Sequence, residues 1–402
     1  MMCKQTMVSW SVAGALLAIS GSAVASGFAL VEQNASGLGN AFAGGAAIAE
    51  DASTVFFNPA GMSRLKGKQV VVSGSVITPS AKFSGTGGPG TNMGGDAGSA
   101  AFVPNAYFTM ELNQDVTVGL GLNAPFGLQT SYDPNWVGNN QAITSKITTE
   151  NLNPSIAYKV NDALSIGAGL NYQHISGNLT QYQGGVLGTT AVQGTDNAWG
   201  YNFGALYSVD PATRIGIAYR SSISYRLSGT VTTALPFANG PATLDIKMPD
   251  TFSISGFHQY SDKWDVMADA TLTGWSSLKQ VQVLNGAGAT ISNTPENWKD
   301  TVRVSLGASY HYDDKWTVRS GVAYDQAPVS DAFRTARIPD NNRTWLAFGG
   351  QYKVTKDSAI DFGYAHLFVK DATINSPNPA PALVGIYNLS VDIVSAQYTY
   401  SF

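Results

Sequence analysis

The chain has 402 residues, 43 of them glycine, with 12% charged residues and a net charge of −4. That charged share is about half the usual value for soluble domains, and a faint acidic balance with no basic patch excludes nucleic acid as a partner. Low charge combined with an ordinary 44% hydrophobic content argues against membrane-spanning helices and fits strands with one oily face and one wet face.

The N-terminus reads as a secretory signal over residues 1–25. Lys4 supplies the positive start, Val8–Ile19 the apolar run, and Ala23-Val24-Ala25 the small-residue cleavage site. The only cysteine, Cys3, would leave with that signal, so the mature chain is expected to hold no disulfide and no cysteine metal site. No later stretch offers the ~18 uninterrupted apolar residues of a spanning helix.

Residues 26–67 are rich in alanine and glycine and lack β-branched alternation. Ala46–Phe57 is expected to form a short helix that stops before Pro59, because a residue preceding proline avoids the helical region. The segment is too small to bury a core of its own. It is either a loose arm or a plug inside a larger structure, and its small side chains favour the plug.

From Gln69 onward the pattern is strands. Six polar pairs read as tight turns: Asn113-Gln114, Asn161-Asp162, Asp210-Pro211, Ser261-Asp262, Asp313-Asp314 and Lys356-Asp357. They recur roughly every fifty residues, room for two membrane-length strands of ~9–11 residues and a long loop. With a first strand at Gln69–Thr78 and a last at Asn388–Phe402, the total is about fourteen strands. The predicted fold class is all-β: a membrane-spanning antiparallel β-barrel over 68–402, short turns toward the periplasm, long loops outside. Alternation is plain where Val302, Val304 and Leu306 oppose Arg303 and Ser305, and across Val394–Phe402, whose aromatic end suits a strand that closes on the first. Long loops are expected at Ser80–Ala100, Gln129–Ala142, Tyr182–Asn197, Thr232–Ile246, Val281–Asn297, Gln326–Asn341 and Asp371–Tyr387.

Chemistry-bearing motifs are absent. The glycine run Gly85–Gly90 contains Pro89 and precedes no helix, so it is a surface loop and not a nucleotide site. The four histidines are scattered, and nothing predicts a catalytic residue, a metal site or a cofactor. By parity Arg303, Arg319, Asp325 and Asp361 point into the lumen, as do Asp265 and Asp269. They form either a charge lattice or a contact for an anionic head group. Ala124-Pro125-Phe126-Gly127 interrupts an alternating strand. Proline removes a ladder donor, so this is either a kink in the wall or a strand end at the rim.

Several segments match a known family. They are Ser36–Ala41 with Ala46–Ala52, then Asn58-Pro59-Ala60, Tyr310–Gly321 and Arg337-Ile338-Pro339-Asp340. On these the chain resembles the FadL family of outer-membrane long-chain fatty acid transporters, some of which import aromatic hydrocarbons. The resemblance implies a fourteen-stranded barrel with an N-terminal hatch, ligand capture at extracellular loops, hatch movement and sideways exit at a strand kink. Asn58, Pro59 and Ala60 would be the hatch motif, and Pro125, Phe126 and Gly127 the kink. The implied partners are a hydrophobic small molecule and outer-membrane lipid, with a monomer as the working unit. The chain departs from the fatty-acid pattern in one respect. Around Leu179–Gln181 and Asn293–Pro295, where basic residues would meet a carboxylate, it has none, which leaves a neutral aromatic or alkane ligand open. An outer-membrane enzyme or adhesin on the same scaffold is the third reading.

Overall fold

The structure is a computed structural model that describes residues 27–402; the expected signal sequence lies outside the described residues. Twenty strand segments line up as a closed barrel of fourteen antiparallel strands. In chain order these are β1 (Lys68–Thr86), β2 (Ala101–Glu111), β3 (Val116–Asn123, then Gly127–Ser131), β4 (Thr144–Lys159) and β5 (Leu164–Tyr182). Then come β6 (Thr189–Ser208), β7 (Thr213–Arg220, then Ile223–Thr232), β8 (Gly240–Met248, then Thr251–Ser261) and β9 (Trp264–Thr273, then Gln280–Asn285). The last are β10 (Thr290–Pro295, then Thr301–His311), β11 (Trp316–Asp325), β12 (Arg343–Lys353), β13 (Ser358–Val369, then Ala372–Ser376) and β14 (Leu383–Ser401). β14 pairs with β1 from Gln69↔Ser401 to Thr86↔Val384, so the sheet closes and its first and last edges satisfy each other.

All six tight turns form where the polar pairs stand, and four share one device. The side-chain oxygen of Asn113, Asn161, Asp210 or Asp313 accepts from the backbone N–H groups two and three residues on, at 2.7–3.0 Å. A short polar side chain that completes its own turn is why these residue types stand there. The alternation also holds: Leu306 is 63% exposed toward lipid and its neighbour Ser305 only 3% exposed in the lumen.

Several expected loops are strand instead. β5 and β6 stay paired from Leu164↔Tyr207 up to Tyr182↔Thr189, and the expected loop Val281–Asn297 is a hairpin of Gln280–Asn285 with Thr290–Pro295. Above Trp199 the outward residues are Asn197, Thr195 and Gln193. There the wall has left hydrocarbon, its outward face is polar, and no apolar-out, polar-in alternation remains to mark a strand.

Residues 27–67 pack inside the barrel. The helix expected over Ala46–Phe57 shrinks to α2 (Thr54–Phe57), preceded by α1 (Ala35–Leu38) and followed by a 3-10 turn at Pro59–Arg64. Ala49 takes a φ of 48°, which breaks a right-handed helix. Asp51 Oδ1 accepts from the Ser53 N–H at 2.9 Å and fixes a turn just before α2. Two inward-facing wall glycines let this segment's backbone come close. A Cβ at Gly204 would stand 1.9 Å from Asn58 Oδ1, and one at Gly216 1.9 Å from the Ala46 carbonyl oxygen. Gly204→Ala and Gly216→Ala are therefore expected to fold as heat-modifiable barrels whose inner segment is displaced. Limited proteolysis should cut residues 27–67 at least several-fold faster than in the parent, and unchanged protection would refute the close fit.

Candidate functional site

The strand interruption proves to be a kink within the wall. β3 pairs with β2 only from Glu111↔Thr117 to Ala106↔Leu122, so beyond Asn123 the two strands part and Ala101–Asn105 lose β3 as a neighbour. On its other side β3 stays with β4, resuming at Gly127↔Thr148 after Asn123↔Asn151, a slip of one residue. Thr149 staples the kink: its hydroxyl accepts from the Phe126 N–H at 2.9 Å and donates to the Phe126 carbonyl at 2.7 Å. The vacated edge of β3 is taken by the N-terminal arm. The Leu30 N–H donates to the Pro125 carbonyl at 2.8 Å, and the Gly127 N–H donates to the Phe28 carbonyl at 2.9 Å, flanking an Ala29–Phe126 bridge. The arm stands where a wall strand would.

The arm is held from above as well. Asp340 Oδ2 accepts from the Gly27 N–H at 2.8 Å and also pairs with Arg343. Phe28 sits in an aromatic cluster with Phe126, Trp275 and Trp298, with ring centroids 4.8–6.2 Å apart. Below, Asn58 is fully buried. Its amide donates to the carbonyls of Ala46 at 2.7 Å and Ala205 at 3.0 Å, and its oxygen accepts from the Ala60 N–H at 3.0 Å. Pro59 opens the 3-10 turn, where no N–H is needed. Asn58-Pro59-Ala60 thus ties the segment to itself and to β6.

The four luminal charges separate into two groups. Arg319 and Asp361 pair with each other, and Arg319 also reaches Glu50 of the inner segment at 3.1 Å. Asp51 beside it accepts from Ser36 Oγ and from the Gln397 amide, both at 2.8 Å. This group is a lattice that fastens the inner segment to the wall. Arg303 and Asp325 are cross-strand partners, and Asp325 is paired on its other side with Arg343. The Arg303 guanidinium donates to the Ala41 carbonyl at 2.6 Å and lies 5.1 Å from the centre of the Trp345 ring. Both Arg303 and Asp325 face a cavity that encloses about 1110 Å³ of empty space, part of it open to solvent. Its walls are largely aromatic (Phe42, Phe56, Phe57, Phe126, Trp275 and Trp345), and Pro125 of the kink is among them. Asp269 reaches it too, while Asp265 is engaged by His311 Nε2 at 2.8 Å.

A second recess opens among the extracellular loops, with about 1690 Å³ of empty space that includes open solvent. Leu179–Gln181 and Asn293–Pro295 carry no basic residue themselves, but one reaches them from elsewhere in the chain. Arg337, from a loop far away in sequence, donates to Gln181 Oε1 at 2.6 Å and to Ser145 Oγ at 3.1 Å, and lines this cavity together with Asn293–Pro295. Glu296 lies buried near it, accepting from the Trp298 indole at 2.9 Å. Burial pushes its carboxyl up to about 8, against the pull of Trp298 and Arg337.

The family description "Outer membrane protein transport protein (OMPP1/FadL/TodX)" matches residues 16–402. The chain belongs to the OMPP1/FadL/TodX family. It is 31% identical to the long-chain fatty acid transport protein of Escherichia coli (strain K12), over 93% of this chain and 95% of that protein. It is 33% identical to outer membrane protein P1 of Haemophilus influenzae, covering 89% of each. A solved Pseudomonas aeruginosa FadL homologue superposes with a TM-score of 0.88 at 28% identity, over 93% of this chain and 99% of that one. The Ralstonia pickettii toluene transporter TbuX shares the fold at a TM-score of 0.69 and 21% identity, over 93% and 100%. The chain is thus an outer-membrane, multi-pass β-barrel of a family of transport proteins, not of enzymes.

For this OMPP1/FadL/TodX member, sequence reasoning missed Phe28–Leu30, Arg220, Trp275 and Arg337. Arg220 donates to the Phe56 carbonyl at 2.9 Å and lines the inner cavity. Arg337 begins the Arg-Ile-Pro-Asp segment that carried the resemblance, but nothing in that segment says which part of the barrel it reaches. Two outcomes follow from the charges. Arg319→Met leaves the fully buried Asp361 carboxylate without its cation, a cost of about 3–5 kcal/mol, and should appear as a lower melting temperature in detergent. The folded Glu296 carboxyl, at about 8, stays protonated where the unfolded one at ~4.3 ionises. Its local stability is therefore fullest below pH ~4.3 and falls as pH rises toward 8. Hydrogen-exchange protection factors of residues 296–300, corrected for the intrinsic pH dependence of exchange, should fall over that window, and Glu296→Gln should flatten the dependence.

Proposed function

We propose that this protein imports long-chain fatty acids or related hydrophobic molecules passively, with lateral exit through the wall. The observation that carries the reading is the edge of β3. The kink parts β3 from β2, and the space is closed by the N-terminal arm instead of a wall strand. Ligand is captured in the outer cavity, where Arg337 stands ready for a carboxylate. It then moves into the aromatic cavity, displaces the arm and the hatch of residues 26–67, and leaves between β2 and β3 into the membrane. The hatch motif is Asn58-Pro59-Ala60, and the opening lies at Pro125-Phe126-Gly127. An oily solute gains nothing from a water-filled pore, whereas a side exit keeps it out of water throughout. A closed barrel has no free edge to pair, so the proposed unit is a monomer.

Ala29 and Phe126 form a non-hydrogen-bonded pair, whose Cα atoms stand ~4.5 Å apart in such ladders, within disulfide reach. In the double variant Ala29→Cys/Phe126→Cys, oxidation should abolish uptake of labelled oleate and reductant should restore it. Undiminished uptake by the cross-linked protein would remove the arm from the path.

A second reading, import of neutral aromatic hydrocarbons, is favoured by the Phe and Trp lining of the inner cavity. Arg337→Gln separates the two. If the ligand is an acid, oleate uptake should fall about tenfold while toluene uptake is unchanged. If toluene is taken up and oleate is not, in either protein, the hydrocarbon reading stands.

A further inference from the structure

The outer surface of the barrel holds a second feature, independent of the lumen. On β6 the lipid-facing aromatic residues end at Tyr201 and Trp199, and the next outward residue is Asn197. At that height the wall is loosely knit. β6 and β7 are paired at Asn202↔Arg220 and again only at Thr195↔Ser228. β8 and β9 are paired at Thr251↔Thr273 and again only at Leu244↔Val283. Between these breaks runs an outward-facing groove of about 1090 Å³, lined by Arg226, Lys247 and Lys279 among polar neighbours. Its floor includes Ile246 and Leu278, which belong to the buried cluster around Trp275 and so seal the groove from the lumen.

The two acids in the groove do not neutralise it. Asp196 is spent on the Arg226 backbone N–H at 2.7 Å, and Asp245 stands 3.8 Å from the Arg226 guanidinium. Lys247 and Lys279 have no carboxylate partner among the described residues. Three cations in one recess, immediately above an aromatic girdle on the long-loop side, lie at the depth of the outer-leaflet head groups. Arginine suits a phosphate's oxygens through its fork of donors, and lysine adds point charge. Basic clusters at this depth draw anionic lipid.

We propose that this groove binds the phosphate of a phosphorylated lipid of the outer leaflet, with Arg226, Lys247 and Lys279 as its ligands and the lipid's chains lying along the apolar band below. The lipid thereby covers the loosely paired part of the wall.

The test uses the full mature protein in neutral detergent. Native mass spectrometry measures binding of a bisphosphorylated lipid A and of the same lipid with its phosphates removed. The parent should bind the phosphorylated form at least tenfold more tightly. Arg226→Gln/Lys247→Gln/Lys279→Gln should abolish that difference while oleate uptake and heat-modifiable migration stay as in the parent. Lys263→Gln/Lys315→Gln/Lys356→Gln, an equal charge change at the short turns, should leave it intact. Equal binding of the two lipids by the parent would overturn the proposal, as would a preference that survives in the groove variant. Inorganic pyrophosphate displacing the lipid as well as phosphorylated lipid does would make the groove a free-anion site, which also overturns it.

Discussion

A wall surrounded by hydrocarbon has no water to satisfy its backbone, so every N–H and C=O in it must find a partner in protein. Fourteen antiparallel strands meet that demand almost everywhere, including the seam where β14 meets β1. The demand fails at Ala124–Phe126, where a proline and a slip in register turn β3 away from β2. Leaving those groups bare would cost several kcal/mol each in lipid. The structure answers with two local devices, the Thr149 staple and the Phe28–Leu30 arm. The kink and the N-terminal arm are therefore one feature: the position of the arm follows from a hydrogen-bonding debt in the wall.

The inner segment is held by the same logic in another form. It is too short to make a core, so it borrows one. Its alanines pack on wall residues, its backbone lies against inward glycines, and its acids Glu50 and Asp51 find Arg319 and Gln397. Buried ion pairs add little net stability but are costly to break on one side. Such an arrangement specifies one seat for the segment without binding it tightly by packing alone, which is what a hatch needs in the proposed cycle.

Strand count, turn positions and the inward set of charges were legible because period-two alternation and self-capped Asn and Asp turns are local properties. Two things were not legible, for different reasons. Above Trp199 the outward face is polar while Ile175 packs inward, so β5 and β6 continue without the apolar-out alternation. Arg337 reaches Gln181 only because a distant loop folds over the barrel mouth, and no spacing rule carries that. The short helix was misjudged because composition favoured Ala46–Phe57, whereas the left-handed φ at Ala49 leaves no mark in composition.

In the proposed cycle, opening costs the arm its two main-chain hydrogen bonds to β3, worth about 1 kcal/mol each net, the Gly27 hydrogen bond to Asp340, and the aromatic contacts of Phe28, about 2–3 kcal/mol for a buried ring. A long acyl chain that takes its place removes roughly 300 Å² of its own apolar surface from water, about 7 kcal/mol at 25 cal/mol per Å². The ligand's burial thus offsets the cost of moving the arm to within a few kcal/mol. A short polar solute buries too little surface to displace it. In the proposed cycle, selectivity would come from the same balance: a molecule oily enough to replace Phe28 against Trp275 and Phe126 opens the exit proposed for it.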